Sequence, residues 1–304
     1  MNPTVPDLKN ITLDSWNHKE FGEKKIRVDV LRLDKIHSDI SGNKWFKLKY
    51  YLEKAMKTNV HTLVSFGGAY SNHILALAAA ARLNGLNSVG YIRGEKPLKL
   101  SETLISAIRY GMDLQFLTRN EYQKKKLKFS DPADFIQPDS LVIPEGGASE
   151  EGIKGAEEIL SLLPVEHYSH ICCAVGTGTT LAGLINSSLP HQIKVGVSVL
   201  KGTNNLEPLN ISWIKNPSAI SNIKMIHEHH FGGYGKKTKV LVDFMNQIYS
   251  ETGIPTDFVY TAKLFFAIYR LATENIFPPG SSILILHTGG LQGNLSLTSG
   301  QLQF

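Results

Sequence analysis

Three lysines follow a Gly-Asn pair near the start of a predicted helix, in the stretch SGNKWFKLKYYLEKA (41–55). A lysine amine does covalent chemistry when it is neutral, because the uncharged nitrogen attacks carbonyl carbons and forms imines. Lys44 comes directly after Asn43, before any exposed helical face is established. Of the other two, we keep Lys47 as a candidate and interpret Lys49 as solvated. The stretch alone does not decide whether Lys44 is a reagent or a surface residue.

The second candidate is a glycine turn, Gly176–Thr180 (GTGTT), between a predicted strand and a predicted helix. Main-chain N–H groups at the start of a helix, together with threonine hydroxyls, form a cradle for phosphate. The turn lacks the lysine of a P-loop, and its glycines are not spaced as in a dinucleotide fingerprint. Glycine turns also serve simply as tight connections. The motif alone therefore leaves phosphate binding and a structural role both open.

The elements that position these residues alternate between strand and helix from about residue 45. Short apolar runs that alternate with helical patterns indicate βα units on a parallel sheet. The predicted strands are 61–66, 87–94, 113–117, 140–144, 170–175, 194–199 and 282–290. The predicted helices are 46–56, 71–83, 101–110, 150–163, 180–187, 237–253 and 258–276, with a lysine-rich helix after residue 117 and an irregular connection at 201–222.

The alternation runs once to residue 144 and restarts at residue 150, which predicts an α/β protein of two lobes. We expect a smaller α/β domain at 50–155, inserted in a larger cofactor-binding domain made of 1–49 and 156–304. Glycine turns follow several of the strands, and the carboxyl ends of parallel strands share one edge of a sheet. A ligand is expected in the cleft between the lobes.

Composition narrows the class of protein. The chain has 304 residues, 42% hydrophobic and 19% charged, as is ordinary for a soluble globular protein. The net charge of +5 comes from scattered lysines without a basic stripe that alternates with aromatics. This charge is compatible with an anionic cofactor or substrate and gives no support to nucleic-acid binding. No apolar stretch is long enough to span a bilayer, and no signal core opens the chain, so we expect a cytoplasmic protein.

Two clusters have simpler interpretations. Cys172 and Cys173 are neighbours on a predicted strand and would point to opposite faces, which disfavours a disulfide between them and favours a reducing compartment. The run His227–His230 (HEHH) has the composition of a metal site, but strand geometry would split its side chains between two faces. We predict no metal site there.

With these residues in place, the chain resembles the 1-aminocyclopropane-1-carboxylate deaminase and D-cysteine desulfhydrase family. These are pyridoxal-phosphate enzymes with the tryptophan-synthase-β fold (fold type II). The resemblance begins at the family signature Gly-Asn-Lys-x-x-Lys-Leu and continues in order along nearly the whole chain. Its blocks are Ser41–Lys44 with Lys47-Leu48, Ser65–Gly68, Ser71–His73, Gly146–Ser149, Gly176–Gly183, Tyr234-Gly235, Val259–Thr261 with Lys263, and His287–Gly290.

The resemblance implies how the cofactor would be held. Lys44 would bind pyridoxal 5'-phosphate as an imine and then act as the proton-transfer base. Asn72 would hydrogen-bond the phenolic oxygen of the cofactor, Thr288 would face its pyridine nitrogen, and Lys47 would lie near its phosphate. The phosphate itself would be bound by Thr177, Gly178, Thr179 and Thr180.

The resemblance also implies a substrate site and a substrate class. Ser71, Asn72 and His73 would receive the carboxylate and the Cα substituents of a small amino acid. Ser71, Tyr234 and Tyr260 would face the reacting atoms. The implied enzyme is a lyase or deaminase, and a homodimer is the implied assembly, with no nucleic-acid or membrane partner.

Three departures from the family pattern bear on the substrate. Leu31–Asp34 replaces the usual Lys-Arg-Glu-Asp, and His73 stands where the deaminases carry glutamine. Thr261 follows Tyr260 where the deaminases carry a glutamate directed at the pyridine nitrogen. The pair Thr261 and Thr288 resembles the desulfhydrases, and it would make the pyridine ring of the cofactor a weaker electron sink. We therefore predict a D-cysteine desulfhydrase-like enzyme. The alternatives are a 1-aminocyclopropane-1-carboxylate deaminase and, from another class, a nucleotide-binding oxidoreductase.

Overall fold

Two mainly parallel sheets form the framework of the protein. The computed structural model describes residues 6–129, 131, 136–207 and 209–304. The six-stranded sheet has the order β1 (Thr12–Ser15), β2 (Arg27–Arg32), β11 (Ser282–His287), β8 (His170–Val175), β9 (Ile193–Ser198) and β10 (Ile223–Ile226). The five-stranded sheet has the order β5 (Asp113–Leu117), β4 (Asn87–Arg93), β3 (Thr62–Gly67), β7 (Ser140–Ile143) and β6 (Ile136–Gln137). Among the described strands, β1 with β2 and β6 with β7 pair antiparallel, and the other pairs are parallel.

Helices cover the faces of both sheets, which is why their inner strands are apolar on both sides. The helices are α1 (Lys19–Glu23), α2 (Asn43–Thr58), α3 (Asn72–Leu83), α4 (Glu102–Arg109), α5 (Arg119–Leu127), α6 (Glu150–Glu157), α7 (Thr179–Ser187), α8 (Lys239–Thr252) and α9 (Thr261–Thr273). Five of them begin at a serine or threonine whose hydroxyl accepts from a main-chain N–H of the first turn, as N-caps do. These caps are Ser71, Ser101, Thr118, Ser149 and Thr238.

Glycines let three helices pack closely around the site. A Cβ on Gly155 of α6 would lie 1.7 Å from the carbonyl oxygen of Phe46 in α2. A Cβ on Gly183 of α7 would lie 2.5 Å from the Cβ of Ala156. Since only glycine permits such close approach, α2 and α7 are both held against α6. This packing sets the position of the Lys44 helix relative to the helix that follows the Gly176 turn.

The fold class is confirmed as α/β with parallel-dominated sheets. The boundaries of the two domains stay predictions; the one at 49/50 falls inside α2 and the one at 155/156 inside α6. Cys172 and Cys173 are both free and buried, and they pack in different hydrophobic clusters on the two faces of β8. No helix in the described ranges is long and apolar enough to cross a membrane.

Several local predictions were wrong or incomplete. β1, β2, β6, β10 and α1 were not predicted. The predicted helix 150–163 is α-helical only to Glu157, after which it tightens into a 3-10 helix. The run 227–230 forms a turn after β10, so the expectation that these residues form a strand was wrong. Within the described residues no three His, Cys, Asp or Glu side chains lie together as a metal site would require.

Candidate active site

A cavity of about 630 Å³ is lined by residues that follow strands of both sheets. It brings together most of the side chains singled out in the sequence, although they are spread over more than 240 residues of chain. The predicted site residues on its wall are Lys44, Lys47, Ser71, His73, Thr177, Gly178, Thr180, Tyr234, Tyr260 and Thr288. The remaining two are buried: Thr179 lies 2.9 Å from the Thr177 hydroxyl on the wall, and Asn72 lies between Ser71 and His73, which both line the cavity.

Lys44 lies in the first turn of α2, directly after Gly42 and Asn43. Its Nζ donates to Asn43 Oδ1 at 2.5 Å, and Asn43 Nδ2 donates to Thr180 Oγ1 at 2.6 Å. Burial lowers the pKa of the Lys44 amine to about 8, against the opposing attraction of the Asp257 carboxylate. A useful fraction of the amine is therefore uncharged near neutral pH. The Gly-Asn-Lys segment thus supplies a nucleophilic amine and links it to the glycine turn.

Lys47 lies one turn further along α2 and is 4% exposed. Its Nζ donates to the carbonyl oxygen of Gly146 at 3.1 Å, and within the described residues no carboxylate pairs with it. Burial and the charge of Lys44 hold the pKa of Lys47 well below its usual value. Lys49, in contrast, points away and pairs with Glu158 at 2.6 Å. A negatively charged ligand beside this amine would favour its charged form and supply the missing partner, so Lys47 is suited to bind an anion.

The glycine turn has the geometry of an anion cradle. Gly178 has a φ of +75° and begins α7, so the first main-chain N–H groups of that helix have no acceptor within it. Thr177 Oγ1 lies 2.9 Å from Thr179 Oγ1. Thr180 Oγ1 accepts from Asn43 and keeps its own proton to donate. The turn therefore offers main-chain and hydroxyl donors at the positive end of a helix.

A second helix start, that of α3, faces the same cavity. Ser71 caps α3 by accepting from Ile74 N at 3.3 Å, which leaves its hydroxyl proton to donate. Asn72 Oδ1 accepts from Gln292 Nε2 at 2.6 Å, so its own Nδ2 is the group left to donate to a ligand. A Cβ on Gly290 would come 2.4 Å from that Nδ2, so the chain beside Asn72 has room only for glycine.

Two tyrosines form the wall beside Lys44. The rings of Tyr234 and Tyr260 meet edge to face with centroids 6.0 Å apart, and Lys44 Nζ lies 5.7 Å from the Tyr260 centroid. Burial raises the pKa of both phenols, so both stay protonated near neutral pH. Lys263 Nζ donates to the Gly233 carbonyl at 2.8 Å and so holds the loop that carries Tyr234. The wall therefore carries two neutral phenols, which can donate hydrogen bonds.

The expectation that Thr261 and Thr288 both face a cofactor ring was wrong for Thr261. Its hydroxyl donates to Asp257 Oδ1 at 2.7 Å and accepts from the main-chain N–H of Asp257 at 2.7 Å. Asp257 Oδ2 in turn accepts from the N–H groups of Val259 and Tyr260. The Thr261 proton is thus used inside the protein, where it helps Asp257 to cap α9. Thr288 lines the cavity and remains the candidate for this position.

The altered segment Leu31–Asp34 keeps two of the four charged residues of the family pattern, Arg32 and Asp34. Arg32 donates to Asp34 through Nε at 2.8 Å and Nη2 at 2.7 Å, and to Asp14 through Nη1 at 2.8 Å. His287 Nδ1 lies 3.1 Å from Asp34 Oδ1, directly before Thr288 in the chain. Leu33, which stands at the Glu position, is fully buried. The two leucines therefore change the packing of the core, and the Arg32–Asp34 ion pair next to the site is kept.

Three residues of the site were missed or given no role from the sequence. Asn43 stood inside the quoted signature, but its bridge from Lys44 to Thr180 depends on a partner 137 residues away. Asp257 and Gln292 lie just outside quoted blocks and act through Thr261 and Asn72. The one available signal was their position next to those blocks, since neither forms a pattern of its own.

Comparison with known proteins identifies the family. A family model described as "Pyridoxal-phosphate dependent enzyme" matches residues 23–289. A putative 1-aminocyclopropane-1-carboxylate deaminase of Thermotoga maritima is 30% identical, over 83% of this chain and 85% of its own length. A bifunctional D-cysteine desulfhydrase/1-aminocyclopropane-1-carboxylate deaminase of Arabidopsis thaliana is 28% identical, over 87% of this chain and 72% of its own length. A D-cysteine desulfhydrase of Salmonella choleraesuis is 27% identical, over 83% of each chain.

Solved structures share the architecture. A crystal structure of an ACC deaminase homologue matches with a TM-score of 0.79 and 26% identity, over 96% of this chain and 93% of that chain. An O-acetylserine-dependent cystathionine β-synthase from Helicobacter pylori has a TM-score of 0.63 and 17% identity, over 95% of each chain, and at that identity it bears on the fold alone. Both likenesses agree with the tryptophan-synthase-β-like arrangement, fold type II.

The residues present suit pyridoxal phosphate. Three features meet in one cavity: an amine with a lowered pKa, a buried lysine with no carboxylate partner among the described residues, and a cradle of N–H and hydroxyl donors. A small molecule with an aldehyde and a phosphate needs these groups. With the family model covering most of the sequence, the chain belongs to the pyridoxal-phosphate-dependent enzymes and is a lyase or deaminase related to the 1-aminocyclopropane-1-carboxylate deaminases and D-cysteine desulfhydrases.

Proposed function

We propose that this enzyme eliminates the β-substituent of a small D-amino acid, in the manner of a D-cysteine desulfhydrase, and converts D-cysteine and water to pyruvate, sulfide and ammonia. One observation carries this proposal: an amine with a pKa of about 8 stands beside two buried phenols that keep their protons. β-Elimination needs one base at the α-carbon and one acid at the leaving group. The cavity offers both.

The cofactor would be held by residues from both halves of the chain. Lys44 would bind its aldehyde carbon and Asn72 Nδ2 would donate to its phenolic oxygen, since Asn72 Oδ1 is already occupied by Gln292. Thr288 would face the pyridine nitrogen. The phosphate would be bound by Lys47, Thr177, Gly178, Thr179 and Thr180. Bound pyridoxal phosphate supplies an electron-withdrawing ring that stabilises negative charge at the substrate α-carbon.

The substrate carboxylate would be bound at the start of α3. The free N–H groups of the first turn and the Ser71 hydroxyl converge there, at the positive end of the helix. Lys44 would take the α-proton, because its burial leaves it partly neutral at working pH. Tyr260 and Tyr234 would donate hydrogen bonds to the departing sulfur, which would leave as thiolate. A thiolate is a good leaving group and does not need a strongly protonated cofactor ring.

The second candidate function is a 1-aminocyclopropane-1-carboxylate deaminase, which forms 2-oxobutyrate and ammonia. Relatives carry either name, and one carries both. The cyclopropane substrate has no α-proton, so a nucleophile or an acid near Ser71 and Tyr260 must open its ring. The raised pKa of the Tyr260 phenol disfavours a phenolate nucleophile. The alternative from another class, a nucleotide-binding oxidoreductase, does not suit a chain whose family uses pyridoxal phosphate.

The test compares both substrates in enzyme loaded with pyridoxal phosphate. Initial rates of pyruvate and sulfide from D-cysteine, and of 2-oxobutyrate from the cyclopropane amino acid, are measured side by side. We expect D-cysteine to be faster. A preference for the cyclopropane substrate would support the second candidate, and no turnover across a panel of small D-amino acids would refute both.

Lys44 is tested by a matched pair of variants on the same helix. Lys44→Ala should abolish turnover and the visible absorbance of covalently bound cofactor. Lys49→Ala removes a lysine that pairs with Glu158 on the outside of α2, and it should keep both. Borohydride treatment of the wild type should bleach the colour and modify Lys44 alone, as read by peptide mass. An active Lys44→Ala enzyme would rule out the assigned role.

Two further expectations accompany the proposed function. The resemblance implies a homodimer, and the two free cysteines, Cys172 and Cys173, favour a reducing compartment such as the cytoplasm. Both stay predictions. Sedimentation of the purified protein tests the first and fractionation of the native cell tests the second.

A further inference from the structure

Arg93, the last residue of β4, brings a positive charge to the wall of the cavity. Unlike Lys44 and Lys47, which are buried, Arg93 is exposed, so a ligand that enters the cavity can reach it. Its guanidinium carbon lies over the buried ring of Tyr122, 5.9 Å from the ring centroid. A guanidinium stays charged over the whole working range of pH.

Arg93 is also the cation of the cavity that has no assigned partner. Four of the described residues that line the cavity are lysine or arginine: Lys44, Lys47, Arg93 and Lys126. Lys44 is the candidate for the cofactor aldehyde, Lys47 is the candidate for its phosphate, and Lys126 pairs with Glu145 at 2.7 Å. Within the described part of the chain no carboxylate forms an ion pair with Arg93.

Arg93 lies next to Tyr234 and away from the glycine cradle. A Cβ on Gly68, the residue after β3, would lie 3.7 Å from Arg93 Nη2 and 3.6 Å from Tyr234 Cε1. A Cβ on Gly146, which follows β7, would lie 2.8 Å from the Thr177 side chain of the cradle. β4 and β7 flank β3 on opposite sides, two strand spacings or about 10 Å apart. Arg93 is therefore free for an anion other than the phosphate that the cradle would bind.

The side chain of the substrate would extend toward Arg93. With the substrate carboxylate at the start of α3 and Lys44 at the α-carbon, the side chain would run along the two tyrosines. Lys44 Nζ lies 5.7 Å from the Tyr260 ring centroid, and that centroid lies 6.0 Å from the centroid of Tyr234, the neighbour of Arg93. Both phenols are neutral, so the charge at the far end of this wall is that of Arg93.

We propose that Arg93 binds a negatively charged group on the substrate side chain, so that the enzyme prefers D-amino acids whose β-substituent is anionic. This inference rests on the proposed function and narrows its substrate class. A planar guanidinium pairs with carboxylate or phosphate oxygens through two parallel hydrogen bonds. A neutral side chain of the same size would leave Arg93 without a partner. D-Cysteine belongs to the preferred class when its thiol is ionised.

The test uses two pairs of ligands that match in shape and differ in charge. D-Aspartate and D-asparagine have the same number of heavy atoms, and so do D-glutamate and D-glutamine, which are one methylene longer. Dissociation constants for holoenzyme are read from the change in cofactor absorbance on mixing, before any turnover. We expect wild type to bind the anionic member of at least one pair about 5-fold more tightly or better.

The variants isolate the charge of Arg93. Arg93→Gln should bring the ratio of the two dissociation constants to about 1, and Arg93→Lys, which keeps the charge without the planar fork, should keep part of the preference. The control is Arg109→Gln, because Arg109 is an exposed arginine at the end of α4, in the same α/β unit and outside the cavity. It should keep the wild-type ratio.

A wild-type ratio near 1 for both pairs, or a ratio that Arg93→Gln leaves unchanged, would overturn the proposal. A loss of affinity in Arg93→Gln that is equal for both members of a pair would place Arg93 at the shared α-carboxylate and would overturn it as well. These binding measurements need no turnover. A failed D-cysteine assay with an intact ratio would therefore count against the elimination activity and leave the charge preference standing.

Discussion

Gly42→Ala is the sharpest test of how the Gly-Asn-Lys segment is held. Gly42 has a φ of +66° and a ψ of −141°, a region that is nearly exclusive to glycine and costs another residue about 1–3 kcal/mol. The added Cβ would lie 1.9 Å from the Thr288 carbonyl oxygen and 2.6 Å from Gly289 N. Both neighbours are main chain and cannot rotate away. The segment that carries Lys44 must therefore move by about 1.5 Å, the distance that brings this contact to ordinary van der Waals separation.

The matched control is Gly85→Ala. Gly85 has nearly the same φ, +67°, but a Cβ there has nothing within 4 Å. It should lose about 1–2 kcal/mol of stability from backbone conformation alone. Gly42→Ala should lose a further 1–3 kcal/mol, about the cost of overpacking a core. Because Lys44 and Thr288 shift relative to each other, its kcat/KM should fall about 100-fold, while Gly85→Ala keeps wild-type kcat/KM.

Denaturant unfolding gives the stabilities of both variants, and initial rates on the best substrate give kcat/KM. The comparison separates the overlap from the cost of a positive φ, since both glycines have a φ near +66°. If Gly42→Ala matches Gly85→Ala in both stability and activity, the contact between residues 42 and 288 does not position Lys44. The reasoning about this loop would then be refuted.

Two further predictions concern the cofactor. Gly178→Asp places a side chain and a negative charge in the cradle at the start of α7. We therefore expect the dissociation constant for pyridoxal phosphate to rise at least about 10-fold, with little change in the unfolding midpoint. An unchanged dissociation constant would mean that the phosphate binds elsewhere. Capture of pyridoxal phosphate by apoprotein should speed up as pH rises to about 8 and level off above it, because only the neutral Lys44 amine reacts and its pKa is about 8. At pH 6 the neutral fraction is about 100-fold lower than at the plateau. A rate that still climbs through pH 10 would show that Lys44 has the pKa of an ordinary lysine.

The local sequence pattern was enough to predict strands that are short apolar runs. The strands 113–117 and 170–175 were predicted to the residue, because each is a short apolar run between helical segments. β2 was missed because Asp29 and two arginines interrupt its apolar pattern. Asp29 is nevertheless fully buried, since Ser15, Arg27 and Tyr168 all bond its carboxylate. Those partners become neighbours only after folding.

The same division holds at the site. The sequence by itself determined the candidate amine, the glycine cradle and the family, because Lys44 and Gly176–Thr180 lie in motifs that local geometry imposes. Only the tertiary structure decided what each group is free to do. In the fold, the Thr261 hydroxyl donates its proton to Asp257, and the Asn72 carbonyl accepts from Gln292 while its NH₂ group stays available. His73 Nε2 donates to Ser65, so that Nδ1 carries the lone pair. The physical reason is that a hydrogen bond uses up a donor or an acceptor, and the partner that uses it comes from elsewhere in the fold.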